Sequence, residues 1–130
     1  MSYSYTSSTD LGYEETVDRV KEAFKKQGFG VLTEIDIRAT LKEKLGVDTE
    51  PYLIIGACNP GFASQALAAE PGVGVFLPCN VVVRKAGDRT VIEAMDPRLM
   101  RQFSEAPGLG DLIDQVAPLV EAAVAEAAGH

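Results

Sequence analysis

Apolar positions along the chain change period several times, and each change marks an element. Ser and Tyr alternate over residues 3–8 with Tyr3 and Tyr5 on one face, the period-two pattern of an edge strand. From Tyr13 the period becomes helical. Tyr13, Val17, Val20 and Phe24 fall on one stripe, Glu14 and Glu15 stand in the first turn, Lys25 and Lys26 stand in the last, and Gly28 supplies a cap. Residues 31–37 alternate again: Val31, Thr33, Ile35 and Ile37 share one side, and Leu32, Glu34, Asp36 and Arg38 share the other. This predicts a strand with one buried and one polar face. Leu41 and Leu45, four apart and followed by Gly46, predict a short helix over 39–45.

Tyr52-Leu53-Ile54-Ile55-Gly56-Ala57-Cys58 is a continuous apolar run, the mark of a central strand covered on at least one face. Asn59-Pro60 then starts a helix, because Asn caps well and Pro is favoured at the first helical position. Phe62, Ala66 and Leu67 fit its buried side, and Glu70-Pro71-Gly72 ends it. Residues 73–77 and 81–84 read as strands, either consecutive or one strand interrupted at Pro78-Cys79-Asn80. Ala86-Gly87-Asp88 is a turn and 90–95 the returning strand of a hairpin. Asp96-Pro97 repeats the cap signal for a short helix through Leu99, Met100 and Phe103. A last helix from about Gly110 buries Leu112, Ile113, Val116, Leu119, Val120, Ala123 and Val124. Pro118 kinks it, and residues 125–130 fray. The order of elements predicts one α+β domain over residues 1–130: a two-layer sandwich, its sheet at least partly antiparallel, with helices on one face.

Composition narrows the partners. Twelve Lys+Arg against 19 Asp+Glu give a net charge of −7, and residues 102–130 contain no Lys or Arg, which argues against a nucleic-acid partner. The basic group Arg19, Lys21, Lys25 and Lys26 sits among Glu14, Glu15, Asp18 and Glu22, which reads as a solvated mixed-charge face. No stretch approaches the length of a membrane span, and the first residues lack a signal-like pattern, so the expectation is a cytoplasmic protein without a membrane partner. With two cysteines, free thiols are the default. The single histidine, His130, stands last, which leaves a closed zinc site or a Cys–His dyad without its usual residues. Phosphate-loop and dinucleotide patterns are absent as well, and no cofactor class is assigned.

The remaining chemistry sits at strand ends. Cys58 precedes the Asn59-Pro60 helix start, where free backbone N–H groups and the helix dipole favour an anion or a thiolate. Cys79-Asn80 repeats the Cys-Asn pair at another strand junction. Glu34 and Asp36 project from one face of a strand, near Lys42, and form a carboxylate pair for a divalent metal or for acid–base work if they are buried beside either cysteine. Against these readings stand blander ones: cysteines as small core residues, asparagines as turns and caps, carboxylates as a solvated face.

Three segments taken together carry a resemblance: Gly28-Phe29-Gly30-Val31-Leu32-Thr33-Glu34-Ile35-Asp36, then Gly56-Ala57-Cys58-Asn59-Pro60, then Leu77-Pro78-Cys79-Asn80-Val81-Val82-Val83. In this order they resemble the bacterial and archaeal family called domain of unknown function 302, over nearly the whole chain. The resemblance implies a compact α+β fold similar to TATA-binding-protein-like domains, a homodimer, and no assigned activity. It marks Glu34, Asp36, Cys58, Asn59, Pro60, Pro78, Cys79 and Asn80 as candidates without roles. Three functions fit these residues. The preferred one is a small homodimeric binding module holding a small molecule, an anion or a metal ion at the Cys58-Asn59 and Cys79-Asn80 strand ends. The alternatives are a thiol-dependent enzyme or redox protein using Cys58 and Cys79, and a structural or interaction protein with no ligand.

Overall fold

The computed structural model describes residues 2–130, and its centre is one five-stranded sheet in the order β1-β5-β4-β3-β2. The strands are β1 (Ser4–Thr9), β2 (Gly30–Asp36), β3 (Tyr52–Cys58), β4 (Cys79–Ala86) and β5 (Arg89–Met95), and every neighbouring pair is antiparallel. Four helices accompany them: α1 (Tyr13–Lys26), α2 (Ile37–Leu45), α3 (Pro60–Ala69) and α4 (Leu109–Ala127). Two 3-10 turns, Pro71–Phe76 and Pro97–Gln102, complete the chain.

One face of the sheet carries the main core. Ile55 and Ala57 of β3, Val81 and Val83 of β4 and Ile92 and Ala94 of β5 are sealed beneath Val20, Ala23 and Phe24 of α1 and Val116, Val120, Ala123 and Val124 of α4. Phe29 closes the end of α1, its ring edge-on to Phe24 with centroids 5.5 Å apart. A second, smaller cluster lies beyond the sheet. Ala66 of α3, Val73, Met100, and Leu109, Leu112 and Ile113 from the first turns of α4 form it. The other face of the sheet is uncovered and carries Tyr52, Ile54, Val82 and Val91 around an Arg84–Glu93 ion pair of 2.6 Å.

Local signals placed most elements. Asn59 caps α3 by accepting a hydrogen bond from the Phe62 amide at 3.3 Å, and Asp36 caps α2 by accepting from Ala39 at 2.9 Å. Gly46 ends α2 in the left-handed region, with φ 66°. The hairpin turns at Gly87, with φ 65°. Gly56 is required for another reason: a Cβ there would stand 2.2 Å from Thr33 Oγ1 and 2.8 Å from Pro78 Cγ, so strand β3 has no room for a side chain at this point.

Four expectations are corrected. Strand β2 has no buried face, since all seven of its residues are exposed. It is the sheet's edge, and a bulge between Val31 and Thr33 breaks the alternation, so Val31 stands opposite Ala57 while Thr33 and Ile35 stand opposite Gly56 and Ile54. Ile37 leaves the strand and opens α2, which starts two residues earlier than its leucines suggest. Residues 73–77 are not a strand. Their backbone is satisfied locally, with Val73 N–H donating to Glu70 and Leu77 N–H to Gly74 at 3.0 Å, because β4 already has β3 and β5 on its two sides. Val73 is buried and Val75 is 86% exposed. The C-terminal residues do not fray either: Ala127 and Ala128 are buried against α1, and Arg19 donates to the Ala127 carbonyl at 3.0 Å and to the Glu126 carbonyl at 3.2 Å. Two lysines of α1 are likewise spent on neighbours, Lys21 on Glu34 at 2.5 Å and Lys26 on Glu126 at 3.0 Å.

Asp96 anchors the exit from the sheet. Its buried carboxylate caps the second 3-10 turn through the Arg98 amide at 2.9 Å and binds the Arg98 guanidinium at 2.8 Å, while that guanidinium lies 5.3 Å from the centre of the Tyr5 ring. Burial pushes the carboxyl upward in pKa, but the hydrogen bonds and charge of Arg98 more than offset this and hold it below the ordinary carboxylate value. A depressed native pKa gives stability that is present above the unfolded value and is lost as pH falls through the native one. Asp96→Asn is therefore expected to lower stability at pH 7 by about 1–3 kcal/mol, the worth of a charged buried hydrogen bond. Urea unfolding should show the gap to the parent narrowing below about pH 4, near the unfolded carboxylate value; a gap constant with pH removes this account.

Candidate functional site

The seam between the two apolar clusters is incompletely filled. A cavity of about 60 Å³ lies there, bounded by the ends of β3 and β4, by α3, by the first half of α4 and by the second 3-10 turn. Cys58, Asn59 and Cys79 all line it, together with Met95 and Met100. Register explains how distant segments meet. Ala57 of β3 stands opposite Cys79 of β4, so Cys58 is one position past that pair and Asn59 opens α3 beside it.

The two thiols differ in surroundings. Cys58 is half-buried, whereas Cys79 is buried and donates its S–H to the Met95 carbonyl at 3.7 Å. Burial alone pushes the Cys79 thiol up to about 12, since a thiolate has nothing in the apolar surround to solvate it. Asn59 is already engaged: its Oδ1 caps α3, and its Nδ2 lies near Gly28, where a Cβ would come within 3.0 Å. The lining contains no Lys, Arg, His, Asp or Glu. An anion in the cavity would meet no compensating charge, and the amide at the helix start is occupied by its own side-chain cap.

The other sequence candidates lie elsewhere. Asn80 follows Cys79 by one residue, so strand alternation turns it to the uncovered face, exposed in a shallow groove with Tyr3, Tyr52, Val82 and Glu93. Glu34 and Asp36 are exposed on the edge strand, one paired with Lys21 and the other capping α2, and neither lines the cavity. Lys42 pairs with Asp48 at 3.1 Å. His130 borders a different hollow with Ser8, Asp10 and Arg89. Among the described residues no group of three or more His, Cys, Asp or Glu is arranged to hold a metal ion.

Met95 and Met100 are site residues that sequence reasoning passed over. Their signal was weak: two methionines flanking Asp96-Pro97 read as ordinary core positions. The β4–β5 pairing sets Met95 beside Cys79, and packing under the first turns of α4 brings Met100 to the same cavity.

The contrast between the thiols is directly testable. With iodoacetamide at neutral pH, Cys58 is expected to alkylate in the folded protein and Cys79 only on unfolding, read by peptide mass spectrometry. Equal rates at the two positions would contradict the burial difference.

Comparison with known proteins bears on the whole chain. No match is found among curated proteins. A crystal structure of an uncharacterized conserved protein DUF302 from Bacillus stearothermophilus is similar at 30% identity and a TM-score of 0.88, covering 98% of this chain and 99% of that one. The family model described as domain of unknown function DUF302 matches residues 3–127. With a family model spanning nearly all of its length, and a solved relative that shares its fold from end to end, the chain belongs to the domain of unknown function DUF302 family.

Proposed function

We propose that the chain is a small homodimeric binding module whose ligand occupies the cavity beside Cys58, Asn59 and Cys79. The observation that carries this reading is the cavity itself. Protein interiors keep few voids larger than a water molecule, and an unfilled volume of about 60 Å³ costs roughly 1–2 kcal/mol at the usual penalty per unit of cavity volume. A guest offsets that cost by supplying the contacts that the apolar lining lacks. The size and lining suit a small guest that brings no negative charge, and they argue against the anion considered from sequence. The alternative of a two-cysteine redox pair draws less support, because Cys79 is held as a buried thiol by its surroundings.

Assembly as a homodimer belongs to the same proposal. It is supported by apolar side chains with no partner within the chain: Ile35 is 48% exposed, Leu45 is 70% exposed, and α2 has no buried residue at all. A nine-residue helix draws little stability from its own hydrogen bonds. A second copy covering it would supply the missing packing.

Xenon probes the cavity without chemical reaction. Under xenon pressure the methyl resonances of Ala57 and Ile113 are expected to shift in the parent protein and to stay in place in Ala66→Leu, whose added carbons occupy the space. An unresponsive parent sinks the reading. Native mass spectrometry reads the assembly, with a dimer expected; monomer at all concentrations would remove the dimer and leave the cavity reading standing.

A further inference from the structure

Every sulfur atom of residues 2–130 belongs to a side chain lining the same cavity. Those residues contain two cysteines and two methionines, and Cys58, Cys79, Met95 and Met100 all border it. The four come from separate places: the last residue of β3, the first of β4, the last of β5 and the middle of the second 3-10 turn. Tertiary structure alone converges them. The bland account is that Met fills irregular gaps and Cys behaves as a small hydrophobe. Yet a filled gap leaves no cavity, and here both methionines stand among the residues lining an unfilled volume, Met95 also reaching the groove on the uncovered face.

The rest of the lining is as informative as the sulfurs. It offers no carboxylate and no imidazole, so calcium and magnesium lack the carboxylates they take, and zinc finds only two of the four Cys, His or carboxylate ligands of a structural site. Thiolate and thioether are soft donors, and the ions they select are soft. An apolar surround that resists a free thiolate accepts one whose charge is met by a cation at bonding distance.

We propose that this cavity binds one soft monovalent d10 cation of the copper(I) class, held by the sulfurs of Cys58 and Cys79 and completed by the thioethers of Met95 and Met100. The inference rests on the cavity being the ligand site and names its ligand. Each coordinating thiol exchanges its proton for the metal: the S–H bond breaks, an S–Cu bond forms, one proton leaves to solvent, and copper stays in the +1 state. With both thiols engaged, two protons leave and the site carries one net negative charge, spread over two soft sulfurs, with half-buried Cys58 on the solvent side. Half-buried Cys58 stands at the rim as the first donor an entering ion meets, and Cys79 stands deeper. The contact that Cys79 gives up is its long 3.7 Å hydrogen bond to the Met95 carbonyl.

The test is anaerobic titration of the full-length, reduced protein with copper(I) against a chromogenic copper(I) chelator. The parent is expected to retain one copper per chain. Cys58→Ser and Cys79→Ser should each weaken retention by at least about tenfold, the smallest effect already seen for groups outside the ligand shell. Met95→Leu and Met100→Leu keep volume and packing, so they test the thioethers without threatening the fold; their double variant is expected to lose copper to the chelator while its melting temperature stays near the parent's. Complete surrender of copper by the parent overturns the proposal, as does retention undiminished in both Cys58→Ser and the double Met variant. A parent that answers xenon but not copper leaves the cavity as a ligand site and removes the metal. A parent that answers neither removes both.

Discussion

The structure depends on the packing of α1 and α4 across one face of the sheet, over β3, β4 and β5. Val81, Val83, Ile92 and Ala94 have no exposure there, and every longer-range feature is set by how those two helices lie. Phe29, just past the end of α1, packs edge-on against Phe24 and lines the cavity together with the ends of β3 and β4. Because α4 is 19 residues long, its first turns project past the sheet and need cover of their own. That cover comes from α3 and the two 3-10 turns, which form the second cluster. Two cores of different origin meet at a seam, and the seam is where the cavity lies.

Such a seam is a natural place for chemistry. Strand ends, helix starts and turns deliver side chains there from many parts of the chain, while the surrounding apolar residues keep water out. The same arrangement accounts for the division of labour among polar residues. Asp96 and Asn59 hold the boundaries of the seam through caps and Arg98, whereas Cys58, Cys79, Met95 and Met100 are among the residues that line it. The uncovered face of the sheet, with its central Arg84–Glu93 pair and half-exposed Tyr52, Ile54 and Val82, is a separate surface of different character.

Much of the fold was legible because its signals are local. Asn59-Pro60, Asp96-Pro97, Gly46 and Gly87 act through their own backbone neighbourhoods, and each did in the structure what its residue type dictates. The errors arose where a local pattern needed a neighbour to confirm it. Val73 and Val75 alternate like a strand, but β4, the strand that follows them, is already flanked by β3 and β5. The alternation of β2 was undone by one bulged residue that only pairing with β3 reveals. The final alanines looked too weak to hold a helix, and Arg19, more than a hundred positions away in sequence, holds their carbonyls.

The candidate site divides along the same line. From residue types and spacing alone, the chain is one α+β domain with an antiparallel hairpin, helix starts at Asn59 and Asp96, and cysteines at strand ends. These follow from backbone preference, capping and hydrophobic period, which act over a few residues. Which strand-end residues meet was decided by register and by helix length. The Ala57–Cys79 pairing drew the two cysteines to one cavity, alternation sent Asn80 to the other face, and the edge position of β2 left Glu34 and Asp36 outside. Met95 joined the site through the β4–β5 register, which sets it beside Cys79, and Met100 through the cluster under the first turns of α4, contacts whose free energy no local pattern encodes.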